Sequence, residues 1–297
     1  MAMVQKTTVG KVIFDIFNYT FMAFVAFICV LPIWHVLMSS LSQPEFLARN
    51  EGVIFWPLGQ ATIKGYQLVF KNPNIATGYG NTLIYVTCHT LLGVVCTAVA
   101  GYILSRKYFV FKGFLVFFVT FTMMFNGGLI PTYMVIRDLG WIDHRIALIV
   151  PGCMSVFNIV IMRTSIQAIP DSLEESAKLD GAGNMTILFK IILPLVKATM
   201  AVLILFMAVG QWNSWFNAMI YLKTRRFFPL QLILREILIQ NDVTNITSGT
   251  EAANQMDLYK PLVQYCTTIV ATAPILCIYP FVQKYFVTGV MIGSLKG

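Results

Sequence analysis

Four of the chain's thirteen acidic side chains, Asp171, Glu174, Glu175 and Asp180, fall in one short stretch between two strongly apolar segments. Clustered carboxylates can do acid–base work or hold a metal, but either task needs a nucleophile, a histidine or a cysteine at matching spacing. No such nucleophile–base or metal constellation is evident, so the chain is read as doing no covalent chemistry. The chemistry that remains is recognition. Ile169-Pro170-Asp171-Ser172 is a helix-entry sequence, in which Asp171 or Ser172 can cap with a glutamate three residues on. Glu174 and Lys178 stand at i, i+4 in the favourable order. Leu173 and Ala177 share a face. Gly181 supplies a left-handed C-terminal residue without a Cβ penalty. A second short helical run follows through Ile187, Leu188 and Phe189 and ends at Leu193-Pro194.

The surroundings of this polar island are those of a membrane protein. The 297 residues are 57% hydrophobic and 11% charged, with mean hydropathy +0.73, against roughly a quarter charged in soluble domains. Six windows, 16–44, 72–105, 113–136, 146–162, 198–222 and 261–283, carry no Asp, Glu, Lys or Arg. Each is long enough to cross a bilayer as a helix, the fourth only at the lower limit and with Pro151 near its start. The expectation is therefore an all-α, six-span membrane protein. Its first span is too long for a signal h-region and is read as retained. Against such a membrane the 171–180 helix turns an acidic face with the single cation Lys178, which anionic lipid disfavours. A protein partner is the better reading.

Six spans put both termini on one side. That side carries 11 Lys plus Arg and the other 10, and the short, dense 105–112 loop favours a cytoplasmic N-terminus. The net charge of +8 is spread over every loop, so it argues for orientation and not for nucleic acid. The six cysteines form no C-x-x-C pair and suggest neither zinc nor a disulfide framework. The opposite face carries a long first loop, 41–71, with turn residues Trp56-Pro57-Leu58-Gly59, and a third loop, 223–260, opening on Lys223-Thr224-Arg225-Arg226.

Uphill transport would need an energy source, and the chain has no G-x-x-x-x-G-K-[ST] phosphate loop. The charge-free windows hold no carboxylate for ion coupling; His35 and His89 read as packed or interfacial residues. This fits a passive pore or a subunit driven from outside. An ion-coupled carrier or facilitator is the first alternative, and a membrane enzyme or scaffold the second. Polar residues at bilayer depth mark a candidate path. Gln211, Trp212, Asn213, Trp215 and Asn217 occupy the fifth window, and Asn126 with Gly127-Gly128 and Pro131 the third. Read as one helix, 211–217 puts Gln211, Ser214 and Trp215 on one face and Asn213 and Asn217 on another. Amides beside aromatic rings suit sugars; interhelical hydrogen bonds and an interfacial Trp belt are the competing account.

Glu175-Ser176-Ala177, Gly181 and Ile191-Ile192-Leu193-Pro194 together resemble the EAA coupling motif of ABC-importer permeases, with Ser176 at the middle position. Asn81-Thr82-Leu83 and Ala100-Gly101-Tyr102-Ile103-Leu104-Ser105-Arg106 resemble the second span of maltose-type sugar permeases. Phe125 to Tyr133, and the closing run from Tyr279 to Phe286 and Gly293, resemble the LplC-like branch, associated with oligosaccharides and polysaccharide fragments. The resemblance implies the type I ABC-importer fold with cytoplasmic termini, in the plasma membrane of a prokaryote. It implies a first helix and extracellular loop over 1–78, a core over 79–286 and a cytoplasmic tail over 287–297. Within the core, 163–197 would be the cytoplasmic coupling segment, with Glu174, Glu175, Ala177, Asp180, Gly181, Leu193 and Pro194 facing or shaping an ATPase groove. The 223–260 loop would reach toward an extracellular solute-binding protein. The implied partners are a second homologous permease, two ATPase subunits that bind ATP and Mg, the binding protein, membrane lipid and an oligosaccharide. No cofactor is expected in the chain itself.

Overall fold

A computed structural model describes residues 8–239 and 256–294, with side chains placed for 8–238 and 258–280. Among them there is no strand. The helices in chain order are α1 (Val9–Ser40), the one-turn α2 (Pro44–Leu47), α3 (Lys64–Lys71), α4 (Pro73–Ser105), α5 (Lys112–Met124) and α6 (Leu129–Asp138). The one-turn α7 (Ile146–Ile149), α8 (Val156–Gln167) and α9 (Asp171–Leu179) follow. Then come α10 (Asn184–Thr186), a π-helical turn Ile187–Ile192, α11 (Leu193–Leu195), α12 (Lys197–Trp212), α13 (Phe216–Tyr221), α14 (Leu230–Ile239) and α15 (Met256–Ser294). Residues 1–7, most of the second half of the expected 223–260 loop (240–255) and the last three residues of the tail lie outside the described residues.

Among the described residues, α1, α4 and Leu258–Pro280 of α15 are long and apolar enough to cross a membrane. Two bent pairs raise the count to five if each is one span: α5 with α6 at 114°, and Asn184–Leu195 with α12 at 87°. The first bend has a local cause. Gly128 takes φ +88°, a conformation L side chains rarely adopt, and the Asn126 side-chain oxygen accepts its N–H at 2.9 Å. The fourth charge-free window does not form one helix. α7 stops at the Pro151-Gly152 turn, where Gly152 has φ +77°, and α8 restarts at Val156. Its 12 residues reach about 18 Å, short of the roughly 30 Å apolar core. Proline removes one amide donor, and Gly152 in the left-handed region then turns the chain out of the helix. The carbonyls left behind are met by side chains: Gln211 Nε2 donates to Leu148 O at 3.0 Å, and His89 Nδ1 lies 2.9 Å from Ile149 O.

Two compact units divide the chain, residues 1–72 with 241–270 and residues 73–240 with 271–297. In the first, α1 is exposed along nearly all its length and buries only Met38, Ser39 and Ser40. Its C-terminal end is tied by hydroxyls: Ser42 Oγ donates to Met38 O and accepts the Leu58 N–H at 2.9 Å, while His35 Nδ1 accepts the Ile54 N–H at 3.0 Å. His35 is thus a packed histidine. Gly65 of α3 lies so close to α15 that a Cβ there would sit 2.5 Å from Cys266 Sγ.

In the second unit α4 is the central helix. It packs on α8 and α12 through glycines. A Cβ at Gly93 would meet Cys153 O at 2.6 Å, and one at Gly101 would meet Met162 Cγ at 2.7 Å. At one end of α4 a core joins Ala98, Tyr102, Met162, Ile166, Ala177, Ile187, Leu188 and Ile192. At the other, Tyr85, Ile136, Leu148, Ala218, Tyr221 and Leu232 form a second.

Candidate coupling site

α9 is short, so its stability depends on ties to the rest of the fold. The structure corrects the expected N-terminal cap. Pro170 is the N-cap residue, no side chain caps the helix, and Asp171 is its first residue. A capping residue needs extended backbone and a side chain reaching back to the first amides. Asp171 is already helical, and its carboxylate instead pairs with Lys107 of the loop after α4. The Lys107 ammonium holds the Asp171 carboxyl below the ordinary carboxylate range, and Lys107 is raised in turn. This tie is therefore complete between the usual aspartate and lysine pKa values; it is lost at the acid end as pH falls through the lowered Asp171 pKa and at the alkaline end as pH rises through the raised Lys107 pKa.

Glu174 is the inner anchor. It is 8% exposed, pairs with Arg106, and is reached by Lys178 at 2.9 Å in the i, i+4 geometry. Arg106 is itself positioned: its Nε donates to Tyr102 O at 3.3 Å, its Nη2 to Ser105 Oγ at 3.0 Å, and its guanidinium lies 4.3 Å over the Tyr102 ring. Ala177, one turn on, enters the apolar core with Tyr102, Met162 and Ile166. The buried edge of α9 is thus Glu174 and Ala177. Leu173, expected to share the Ala177 face, is 45% exposed.

The C-terminal end agrees with the sequence. Gly181 has φ +82°, its N–H donates to Lys178 O at 3.0 Å, and the Ala182 N–H donates to Ala177 O at 2.9 Å. This is the paired hydrogen-bond pattern of a Schellman stop. Nothing lies within 4 Å of a Cβ built at Gly181, so only backbone conformation requires glycine. Gly181→Leu should cost about 1–2 kcal/mol locally and change how α9 ends without crowding any neighbour. In the ATP-driven importer that the resemblance implies, uptake per ATP hydrolysed should fall with normal expression, measured in reconstituted complexes.

The outward surface combines charge and grease. Glu175 and Asp180 are exposed, as are Leu179 (89%), Met185 and Phe189. Leu193 is buried in the core, while Pro194 is exposed in the turn after the π-helical segment. A cavity of about 510 Å³ opens beside this surface, lined by Arg106, Lys112, Gln167, Pro170, Glu175 and Lys178 among others. The sequence singled out the acidic residues but read 105–112 as an orientation signal, with Ser105-Arg106 as the end of a family-like span, and not as their partner. Its Arg106-Lys107 pair is the missing half of the site, and the signal available was two cations directly after a span, opposite a clustered acidic stretch.

The candidate path residues have separate partners. The run 211–217 is not one helix: α12 ends at Trp212 and α13 begins at Phe216, so helical facing does not relate Gln211 to Trp215 or Asn213 to Asn217. Gln211 is bonded to Leu148 O. Trp212 is buried, and its Nε1 donates to Ala271 O at 3.2 Å. Asn213 Nδ2 donates back to Val209 O, and both Asn213 and Asn217 are exposed. Trp215 carries the Arg235 guanidinium 4.5 Å over its ring. Asn126 is exposed at the α5–α6 bend.

Residues 90–292 match the family described as "binding-protein-dependent transport system inner membrane component". The chain belongs to this family. As a transport-system inner membrane component it has full-length relatives. It is 35% identical over 290 residues to the polygalacturonan/rhamnogalacturonan transport system permease protein YtcP of Bacillus subtilis strain 168, covering 96% of this chain and 99% of that one. It is 35% identical over 293 residues to Protein LplC of the same organism, covering 99% and 98%. Among solved structures, a bacterial ABC transporter involved in the import of the acidic polysaccharide alginate superposes with a TM-score of 0.85 at 28% identity. That match covers 94% of this chain and 99% of the other. The chain, all-helical among the described residues, therefore has the ABC-importer permease fold, and α9 lies inside the matched region of a transport permease.

Proposed function

We propose that this inner membrane component is one of two homologous permease subunits of an ABC importer, with six spans, the fourth crossing as the interrupted α7–α8 segment, and both termini in the cytoplasm of a prokaryote. Its residues 163–197 dock on a cytoplasmic ATPase, and an extracellular binding protein delivers the cargo to the opposite face. Two ATPase subunits bind ATP and Mg and supply the work. The cargo is an oligosaccharide; relatives named for polygalacturonan/rhamnogalacturonan and for alginate favour fragments of an acidic polysaccharide. One observation carries the reading. α9 is fastened to the span bundle by Glu174 and Ala177 while Glu175, Leu179 and Asp180 face outward, a mixed acidic and apolar surface suited to a protein groove. Closure of the ATPases would pull on this surface, and the Arg106–Glu174 pair would pass the displacement to α4. Asn126, Asn213 and Asn217, exposed in the single subunit, are the residues of the candidate path available to sugar hydroxyls.

The test is uptake of labelled trigalacturonate by proteoliposomes holding the whole importer, with ATP on the ATPase side and binding protein on the other. We expect uptake that stops without ATP and persists when ionophores collapse ion gradients. Uptake that survives ATP removal and stops with the ionophores would replace this reading with the ion-coupled carrier.

A further inference from the structure

We propose that α4 is the strut that carries the binding protein's signal to the coupling helix, with Asn81 and Arg106 as the positioning residues at its two ends. The proposal rests on the import reading above, which gives the 223–260 loop and α9 their opposite sides.

The outer end is a clasp. Residues 222–229, at the root of that loop, hold only one 3-10 turn, so much of their polar main chain needs partners from elsewhere. Side chains supply them. Asn81 Nδ2 donates to Arg226 O at 2.7 Å and Phe228 O at 3.0 Å, and Tyr85 Oη donates to Phe227 O at 2.7 Å. Thr82 Oγ1 accepts the Leu230 N–H at 2.9 Å. All three side chains are on α4. From the turn after α6, Asp143 Oδ1 accepts the Lys223 and Thr224 N–H groups at 2.9 and 2.8 Å. Arg145 donates to Asn81 Oδ1 at 2.9 Å, which fixes the amide with its NH2 toward the two carbonyls. A displacement of the loop root has no slack to take up before it reaches α4.

The inner end is the Arg106–Glu174 pair, one residue past the end of α4. Between Asn81 and Ser105 the helix runs unbroken and without proline for roughly 36 Å. Along the way Gly93 and Gly101 seat it against the 153 turn and α8 with no room for a Cβ, and Ala98 and Tyr102 share a core with Ala177 of α9. Close-packed interiors transmit displacement because they resist compression. The loop root and the coupling helix are therefore two ends of one rigid body.

The experiment uses the reconstituted importer and measures ATP hydrolysis against binding-protein concentration, with the protein loaded with trigalacturonate. Tyr85→Phe removes one hydroxyl and keeps the ring; Asn81→Ala is the stronger variant. Both should assemble and keep basal hydrolysis, yet lose about fivefold in maximal stimulation, with the half-saturating concentration unchanged. Full stimulation at saturating binding protein would make the clasp a docking aid only and overturn the strut. Combining Tyr85→Phe with Arg106→Gln gives an independent readout. Distant sites with no shared partner have additive effects. A double variant no worse than Arg106→Gln alone supports one line of transmission, and strict additivity contradicts it. If the unmodified importer shows no stimulation at all, the import reading has failed and the strut with it.

Discussion

Glu174→Lys is expected to abolish ATP-driven uptake while leaving the spans inserted. The substitution places an ammonium between Arg106 and Lys178, in a site where the native side chain is 8% exposed. Breaking a buried pair leaves an uncompensated charge at a cost of about 3 kcal/mol, on the order of a hundredfold in the population of correctly seated α9. The partner exchange Arg106→Glu with Glu174→Lys should restore part of the uptake, because the pair is re-formed with its polarity reversed. Uptake at the normal rate in Glu174→Lys alone would mean that α9 is held by Ala177 and the chain ends only.

Gly93→Ala is expected to have the other large effect, on the bundle itself. The added Cβ would lie 2.6 Å from the Cys153 carbonyl oxygen and 3.0 Å from Met207 Sδ. The sulfur can move; the carbonyl belongs to the turn that follows Pro151-Gly152 and cannot move without shifting α8. Overpacking of this kind costs about 1–3 kcal/mol. Gly80, on the same helix, has nothing within 4 Å of a built Cβ. There Gly80→Ala should be neutral or stabilising by up to about 1 kcal/mol, since alanine is the better helix former. Thermal unfolding of the two purified variants distinguishes them. Equal Tm values would show that α4 does not approach the turn this closely.

The sequence announced whatever depended on local chemistry. The positive φ of Gly181, the i, i+4 pair Glu174–Lys178 and the long apolar helices α1 and α4 follow from residue type and spacing within a few turns. The membrane-type composition was legible for the same reason, while the family was legible only through the resemblance of the Glu175–Pro194 motif and of the runs at 81–83, 100–106 and 125–133. Features set by distant neighbours were not. Asp171 looked like a cap because nothing nearby in sequence says that Lys107 competes for its carboxylate. The 146–162 window looked like one unbroken helix because charge counting ignores the missing amide of Pro151 and the left-handed Gly152. The polar run 211–217 looked like one helix, but the chain breaks at 213–215, where no proline or glycine marks it. Gln211 and Trp212 turned out to serve the carbonyls of Leu148 and Ala271, partners that no spacing rule identifies.

The central claim is that α9 grips a protein and does not lie on lipid. Leu179 is 89% exposed on its outward surface, so a photo-crosslinking amino acid placed there disturbs nothing within the chain. Illuminated in native membranes with the other importer subunits present, it should form a covalent adduct with the ATPase subunit. Adducts with lipid alone would contradict the account and return α9 to the membrane surface.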